Sequence, residues 1–379
     1  MRIGLITRRF DPAGGGTERD LMITARILTQ AGHRVMIYAA EVRASTNEWP
    51  VRQIASPRLG RALGLLWFAR AAGAAARREG TDLVLSFARI VEADILRSGG
   101  GAHSSYIRAA RRWQTPSARI AMRVSPYHRI QMLVERRGFQ SPSLKRAIAV
   151  SNLVRDDLVS TFALAPAQAV TLYNGVDFDR FVPERDPATR AELRREFGVD
   201  DSRPTVIFVG NGFARKGLRF LLEAWRRIND DARLLVVGAD RAAASYERLA
   251  HKLVAGRVRF NGPSKNVERL MRGADVFALP SLFEPFGNVA IEAMASGAPA
   301  LTTRFCGVSE VLPQALRDFI VNDPTDITEL AARMNGLIEA ASSLGVIARA
   351  AAEELTWERH GRELLAIISE VADQRTSVR

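Results

Sequence analysis

The sequence predicts an α/β protein of two doubly wound parallel-sheet domains with a ligand cleft between them. Three observations predict it. A chain of 379 residues exceeds what one hydrophobic core normally serves. Short apolar runs alternate with helix-length amphipathic stretches, the pattern of a parallel sheet covered on both faces. The alternation breaks at 174–204, a stretch rich in Asp, Pro and Arg, and then begins again.

In the first domain, expected over 1–180, the strands are 2–9, 34–40, 51–55, 82–87, 146–151 and 169–173. Helices are expected at 17–31, with Thr17 as N-cap, and at 62–78. The second domain, 181–355, has expected strands at 205–209, 233–238, 258–261, 275–279, 298–302 and 319–321. Its helices begin near Gly217, Ala244, Asn266, Asn288 and Asp326. Three closing helices cover about 326–341, 344–354 and 357–372, and 356–379 forms a separate C-terminal segment. Ligands in such folds sit at the carboxyl ends of the strands.

Composition narrows the class. Hydrophobic residues at 47% and charged ones at 25% are ordinary for a soluble globular protein. The single cysteine, Cys306, cannot form an intrachain disulfide and fits a reducing compartment. The chain runs from Met1 straight into a strand pattern without a signal-peptide layout, and no apolar run approaches the ~20 residues of a membrane span. The expected location is therefore cytoplasmic. The net charge of +13 is unevenly placed: residues 1–180 hold 27 Lys and Arg against 14 Asp and Glu, and the remainder balances. Nucleic acid, a membrane surface or an anionic acceptor would each suit such a half.

The most informative segment is Ser281-Leu-Phe-Glu284-Pro-Phe286-Gly287-Asn288-Val289-Ala-Ile-Glu292. It follows an apolar strand pattern and leads into a helix starting near Asn288. Glycine admits close backbone approach, and unpaired amides at a helix start suit a diphosphate. An acid beside a phosphate site needs another partner, and sugar hydroxyls are the natural one.

Together with Gly14-Gly15-Gly16, Ile148-Ala-Val-Ser151, Leu172-Tyr-Asn174-Gly175-Val-Asp177 and Gly210-Asn-Gly-Phe-Ala-Arg215-Lys216-Gly217, this segment resembles the family 4 retaining glycosyltransferases of the GT-B fold along nearly the whole chain. That resemblance implies two Rossmann-like domains and a final helix packing back on the first. It implies that Glu284 contacts the donor sugar and Glu292 the ribose. It further implies that the Phe286, Gly287, Asn288 and Val289 amides support the phosphates. The Gly14, Gly15 and Gly16 loop would close over them, bordering the acceptor site. Read as a dinucleotide loop, this triplet lacks the G-x-G-x-x-G spacing.

Arg215 and Lys216, at a turn after a strand, can neutralise a departing diphosphate by fixed charge without a metal. In Ser98-Gly99-Gly100-Gly101-Ala102-His103, His103 matches the family's sugar-contacting histidine; a subgroup has an aspartate where this chain has Gly100. Asp177-Phe-Asp179 spells a metal-binding D-x-D but sits in a segment found in metal-independent members. No metal or other cofactor is expected. Substituting Glu284 or Lys216 is expected to stop or cripple transfer and leave the fold intact.

Residues 105–146 carry ten cations, among them Arg108, Arg111, Arg112, Arg119 and Arg123, against the one acid Glu135. Aromatic and aliphatic residues interleave them, as in a helix lying on an anionic bilayer, where each cation contributes roughly 1 kcal/mol. A family member that adds glucose to heptose of the lipopolysaccharide inner core has a similarly placed basic segment. The expected partners are accordingly a nucleotide sugar, UDP-glucose, and an anionic glycolipid acceptor at the inner face of the cytoplasmic membrane. A mannosyltransferase using GDP-mannose on a phospholipid or polyprenol would carry the same motifs. A nucleic-acid-binding protein on a Rossmann scaffold is the reading from another class; it would bind oligonucleotides salt-sensitively and not need Glu284.

Overall fold

A computed structural model describes residues 1–44, 46–55, 57, 60–199 and 203–376. The chain divides into two compact units, Met1–Tyr173 with Glu358–Arg379, and Asn174–Trp357.

The first unit holds β1 (Arg2–Phe10), β2 (Arg34–Val42), β3 (Val51–Gln53), β4 (Leu83–Ser86), β5 (Ile95–Ser98), β6 (Arg146–Ala149) and β7 (Ala169–Thr171). They pair in the order β3-β2-β1-β4-β5-β6-β7, and each neighbouring pair is parallel. The order reverses on either side of β1, the topology that creates ligand sites at the carboxyl ends of the strands. Strand β5 was absent from the sequence expectation because Asp94 and Arg97 interrupt its short apolar run. Both are nevertheless buried. The Asp94 carboxylate accepts from the Val84 amide at 2.8 Å, and Arg97 donates to Asp20 at 2.7 and 3.0 Å.

Helix Gly16–Gln30 buries Leu21, Ala25 and Leu28 against this sheet. Thr17 lies inside the helix; Gly15 is the N-cap and supplies no side-chain hydrogen bond, so the expected threonine cap is corrected. Leu364, Ile368 and Val371 of the final helix, Trp357–Thr376, join the same core as Ile3, Leu5 and Ile37. Their i, i+4, i+7 spacing lays one helical stripe on the first unit.

The second unit holds β8 (Thr205–Val209), β9 (Arg233–Val237), β10 (Val258–Gly262), β11 (Val276–Ala278), β12 (Ala300–Thr303) and β13 (Ile320–Val321). Their order is β10-β9-β8-β11-β12-β13, again with parallel neighbours. Strands β8, β11 and β12 are buried at every residue, as strands covered on both faces are.

This unit begins at Asn174, earlier than the expected boundary after residue 180. The reason lies in contacts with distant segments: the Val176 amide donates to the Leu355 carbonyl at 2.9 Å, and Asn174 Nδ2 donates to Asn288 Oδ1 at 2.9 Å. The stretch 174–204, expected as a linker and including three residues outside the described set, also carries a packed helix, Pro187–Glu196. Asp186 caps it, accepting from the Ala188 and Thr189 amides. Its buried Arg194 meets Asp275 at 2.5 Å, and Arg190 meets the other carboxylate oxygen at 2.7 Å. An arginine-rich helix reads as solvated in sequence; Asp275, the half-buried partner of its buried Arg194, is supplied by a distant segment. Among the described residues no helix is long and apolar enough to cross a membrane.

Candidate active site

In the second unit the chain leaves β11 and reaches Glu284 six residues later. There it is pinned by main-chain bonds. The Glu284 amide donates to the Phe305 carbonyl at 2.9 Å, Gly307 donates to the Glu284 carbonyl at 3.0 Å, and Val308 donates to Phe286 at 2.7 Å. The carboxylate is held in turn: Oε2 accepts from Arg215 Nη1 at 2.9 Å and Lys216 Nζ at 2.8 Å. Arg215 Nη1 also donates to the Phe283 carbonyl at 2.7 Å. Side-chain exposures of 13% for Glu284, 7% for Lys216 and 26% for Arg215 place the three charges where water screens them weakly. Burial pushes the Glu284 carboxyl up; the Lys216 and Arg215 charges and hydrogen bonds outweigh it and hold the group below the usual carboxylate value.

Two glycines let the cations reach that position. Gly210, at the end of β8, has φ +147°, and a Cβ there would lie 2.2 Å from Lys216 Cε. Gly217 has φ +76°, and a Cβ there would lie 2.0 Å from the Pro280 carbonyl oxygen. A side chain at either would push the lysine or the strand end aside.

Gly287, with φ +102°, starts helix Asn288–Ala295 without a side-chain cap. The first bond of its turn is from the Ala290 amide to the Gly287 carbonyl, so the Gly287, Asn288 and Val289 amides precede it. These are the donors that a helix start leaves over, at the positive end of its dipole. The Asn288 side chain is committed to Asn174. Glu292 follows one turn into the helix and is half-buried. The sequence-expected residues Arg215, Lys216, Glu284, Phe286, Gly287, Asn288, Val289 and Glu292 thus all belong to one unit.

In the first unit, Gly14, Gly15 and Gly16 run from β1 into helix Gly16–Gln30. Two ion pairs hold that helix start: Arg9 with Glu18 at 2.6 Å and Arg97 with Asp20 at 2.7 Å. His103 opens helix His103–Ala110 and is buried. Its amide donates to Glu135 Oε2 at 2.8 Å, and Arg89 closes on the other Glu135 oxygen. His103 Nε2 lies 2.8 Å from His128 Nδ1. Burial, then the Arg89 and His128 charges, lowers the His103 pKa to about 4, so the ring is neutral at physiological pH. Two cavities adjoin this region and share Thr17, Phe87, Ala88 and Arg89. One, about 250 Å³, is lined also by Asp20, Gly99, Gly100 and Glu135; the other, about 600 Å³, by Arg9, Glu18, Tyr127 and Gln131.

The basic segment forms three helices, where the sequence suggested one. They are His103–Ala110, Pro116–Val124 and Pro126–Phe139, broken by prolines at the second and third starts. Arg108, Arg111, Arg112, Arg119 and Arg123 are exposed. Helix Pro116–Val124 buries nothing, leaving Ile120 66% and Val124 57% exposed beside Arg119 and Arg123. Glu135, the lone acid of the segment, is its buried anchor. Asp177 accepts from the Asp179 and Arg180 amides, each at 3.2 Å, so one carboxylate of the D-x-D sequence closes a local turn.

Sequence reasoning missed His128, Glu135 and the Asp20–Arg97 pair. Only an acid isolated among ten cations hinted at Glu135; the others gave no signal because their partners lie 25 to 77 positions away.

Residues 14–180 match the family described as Glycosyltransferase Family 4, and residues 203–340 match Glycosyl transferases group 1. A probable transglycosylase of Burkholderia thailandensis is 30% identical over 392 residues, spanning 99% of each chain. The alpha-maltose-1-phosphate synthase of Mycolicibacterium smegmatis is 28% identical over 264 residues, 65% of this chain and 67% of that protein. Among solved structures, WaaG, a glycosyltransferase involved in lipopolysaccharide biosynthesis, is similar with a TM-score of 0.79 at 22% identity over 97% of this chain and 99% of that one. Anabaena Alr3699/HepE in complex with UDP and glucose is similar with a TM-score of 0.70 at 18% identity, over 98% and 100%.

Proposed function

This chain belongs to the family 4, group 1 glycosyltransferases of the GT-B type, and on that premise we propose that it moves glucose from UDP-glucose to an anionic, membrane-anchored glycolipid such as lipopolysaccharide core. The observation that carries the donor half is the cluster of Arg215, Lys216 and Glu284 in the same unit as the uncapped helix start at Asn288. Similarity to the UDP- and glucose-bound HepE and to WaaG supports the sugar and the acceptor class.

In this reading the Gly287, Asn288 and Val289 amides, the Phe286 backbone and the Gly14, Gly15 and Gly16 loop bind the diphosphate, and Glu292 binds the ribose. Glu284 and His103 hold the sugar. The bond from the anomeric carbon to the diphosphate breaks while an acceptor hydroxyl attacks the same face, so configuration is retained. The departing diphosphate oxygen takes the hydroxyl proton. Arg215 and Lys216 each keep N–H donors beyond those given to Glu284, and they meet the charge that develops on the diphosphate. Fixed cations of this kind stabilise that charge without an added metal.

Titration calorimetry in EDTA with UDP-glucose, GDP-mannose and other nucleotide sugars tests the donor. Saturable binding of UDP-glucose alone is the expected result. Selective binding of GDP-mannose would instead establish a mannosyltransferase, and salt-sensitive oligonucleotide binding with no donor binding would overturn the transferase reading.

For the acceptor side, the exposed cations with Ile120 and Val124 fit an anionic lipid surface. Replacing Arg108, Arg111 and Arg112 by Ser is expected to weaken sedimentation with phosphatidylglycerol vesicles by ~100-fold, at roughly 1 kcal/mol per cation, and to spare UDP-glucose affinity. Unchanged vesicle binding would remove the membrane role of this segment.

A further inference from the structure

We propose that His128 is a positioning residue that locks the His103 ring, committing Nε2 and leaving Nδ1 to accept a hydrogen bond from a sugar hydroxyl. The inference rests on the reading that His103 contacts the transferred sugar, and adds the atom, its role and the group that holds it.

His103 Nε2 and His128 Nδ1 are 2.8 Å apart, with ring centroids 5.0 Å apart and an interplanar angle of 25°. A hydrogen bond between two imidazoles requires one ring to donate and the other to accept, hence at least one neutral ring. Burial lowers the pKa of both. The charged and titratable groups around the pair favour the same state: Arg89 acts on His103 and Arg61 on His128, and each opposes a second positive charge. Glu135 spends one oxygen on Arg89 and the other on the His103 amide. Tyr106 stacks on His103, centroids 5.9 Å apart, and Tyr127 meets His128 edge-on.

The direction follows from imidazole chemistry. A neutral histidine side chain prefers its hydrogen on Nε2. If both rings keep that preference, His103 Nε2–H donates and the bare His128 Nδ1 accepts. His103 Nδ1 then presents a lone pair, and it has no hydrogen-bond partner among the described residues. A sugar hydroxyl supplies the matching donor.

One helix holds both ends of His103. His128 and Glu135 lie seven residues apart on Pro126–Phe139, two turns along the same face, and grip the ring and the main-chain amide respectively. A histidine free to flip would spend part of its time with the wrong nitrogen toward the sugar.

The test uses the full chain with UDP-glucose, comparing wild type with H128F, H128N and H103A. Nitrogen-15 NMR of the histidine rings is expected to show His103 with hydrogen on Nε2 in the wild type and mixed tautomers in H128F. H128F should lose kcat on the order of 10- to 100-fold, the scale of a misplaced catalytic contact, with the UDP-glucose KM within about twofold. H128N, whose amide oxygen can accept the same hydrogen, should recover most of it. An unchanged His103 tautomer in H128F would overturn the proposal, as would wild-type kcat in H128F when H103A is inactive. If H103A itself transfers at the wild-type rate, the sugar-contact reading falls, and the tautomer measurement still decides whether His128 positions the ring.

Discussion

Glu284→Ala is expected to abolish measurable transfer and to destabilise the second unit at the same time. The catalytic loss is on the order of 10³-fold or more, because the substitution removes the proposed sugar contact and frees Arg215 and Lys216 from their fixed orientation. The stability loss has a separate cause. Lys216 would remain buried without its countercharge, and breaking a buried pair from one side costs ~3–5 kcal/mol. This corrects the expectation that the substitution spares the fold, because Glu284 is the countercharge of a buried lysine as well as a proposed sugar contact. Glu284→Gln retains an oxygen toward the cations and should recover part of the stability but little of the transfer. Initial rates with UDP-glucose and a urea titration of each variant measure the two effects independently. Wild-type transfer by Glu284→Ala would end the assignment of this site.

Lys216→Met should cripple transfer by ~10²–10³-fold, the cost of losing one preorganised donor to developing charge. It should also change how stability responds to acid. In the wild type the Glu284 carboxyl is held below its ordinary value, so it contributes stability above ~pH 4.3, and that contribution is lost as pH falls through the lowered folded value. With Lys216 gone, burial regains weight against Arg215 alone and the carboxyl moves upward. The acid-side loss of stability should then shrink or reverse relative to wild type. Urea midpoints for both proteins across about pH 3 to pH 7, a range bracketing carboxylate titration, give the comparison directly. Parallel curves would mean that Lys216 does not act on Glu284.

Much of the fold was readable because doubly wound sheets announce themselves locally. Strands such as Thr205–Val209 are continuous apolar runs bounded by turn residues, and the helix starts at Asn288 and near Asp326 carry their own signals. Errors arose where charge was buried. Strand Ile95–Ser98 and helix Pro187–Glu196 read as polar, since the carboxylates that pair with Arg97 and Arg194 are contributed from 77 and 81 positions away. The donor-side residues were legible because glycines, cations and acids cluster within short motifs. His128 was not, since a histidine in a basic segment carries no mark of the ring it will face.

The two-unit α/β architecture, the family, and Arg215, Lys216, Glu284 and Glu292 as candidates are legible in the order of the amino acids. Periodicity and turn chemistry are local properties, written within a few residues of where they act. Which charges are buried, which cation meets which acid, and that His103 lies against His128 and Glu135 emerge only on packing. Those facts depend on the paths of distant segments, and desolvation, which sets the strength of every such pair, exists only after the chain has packed.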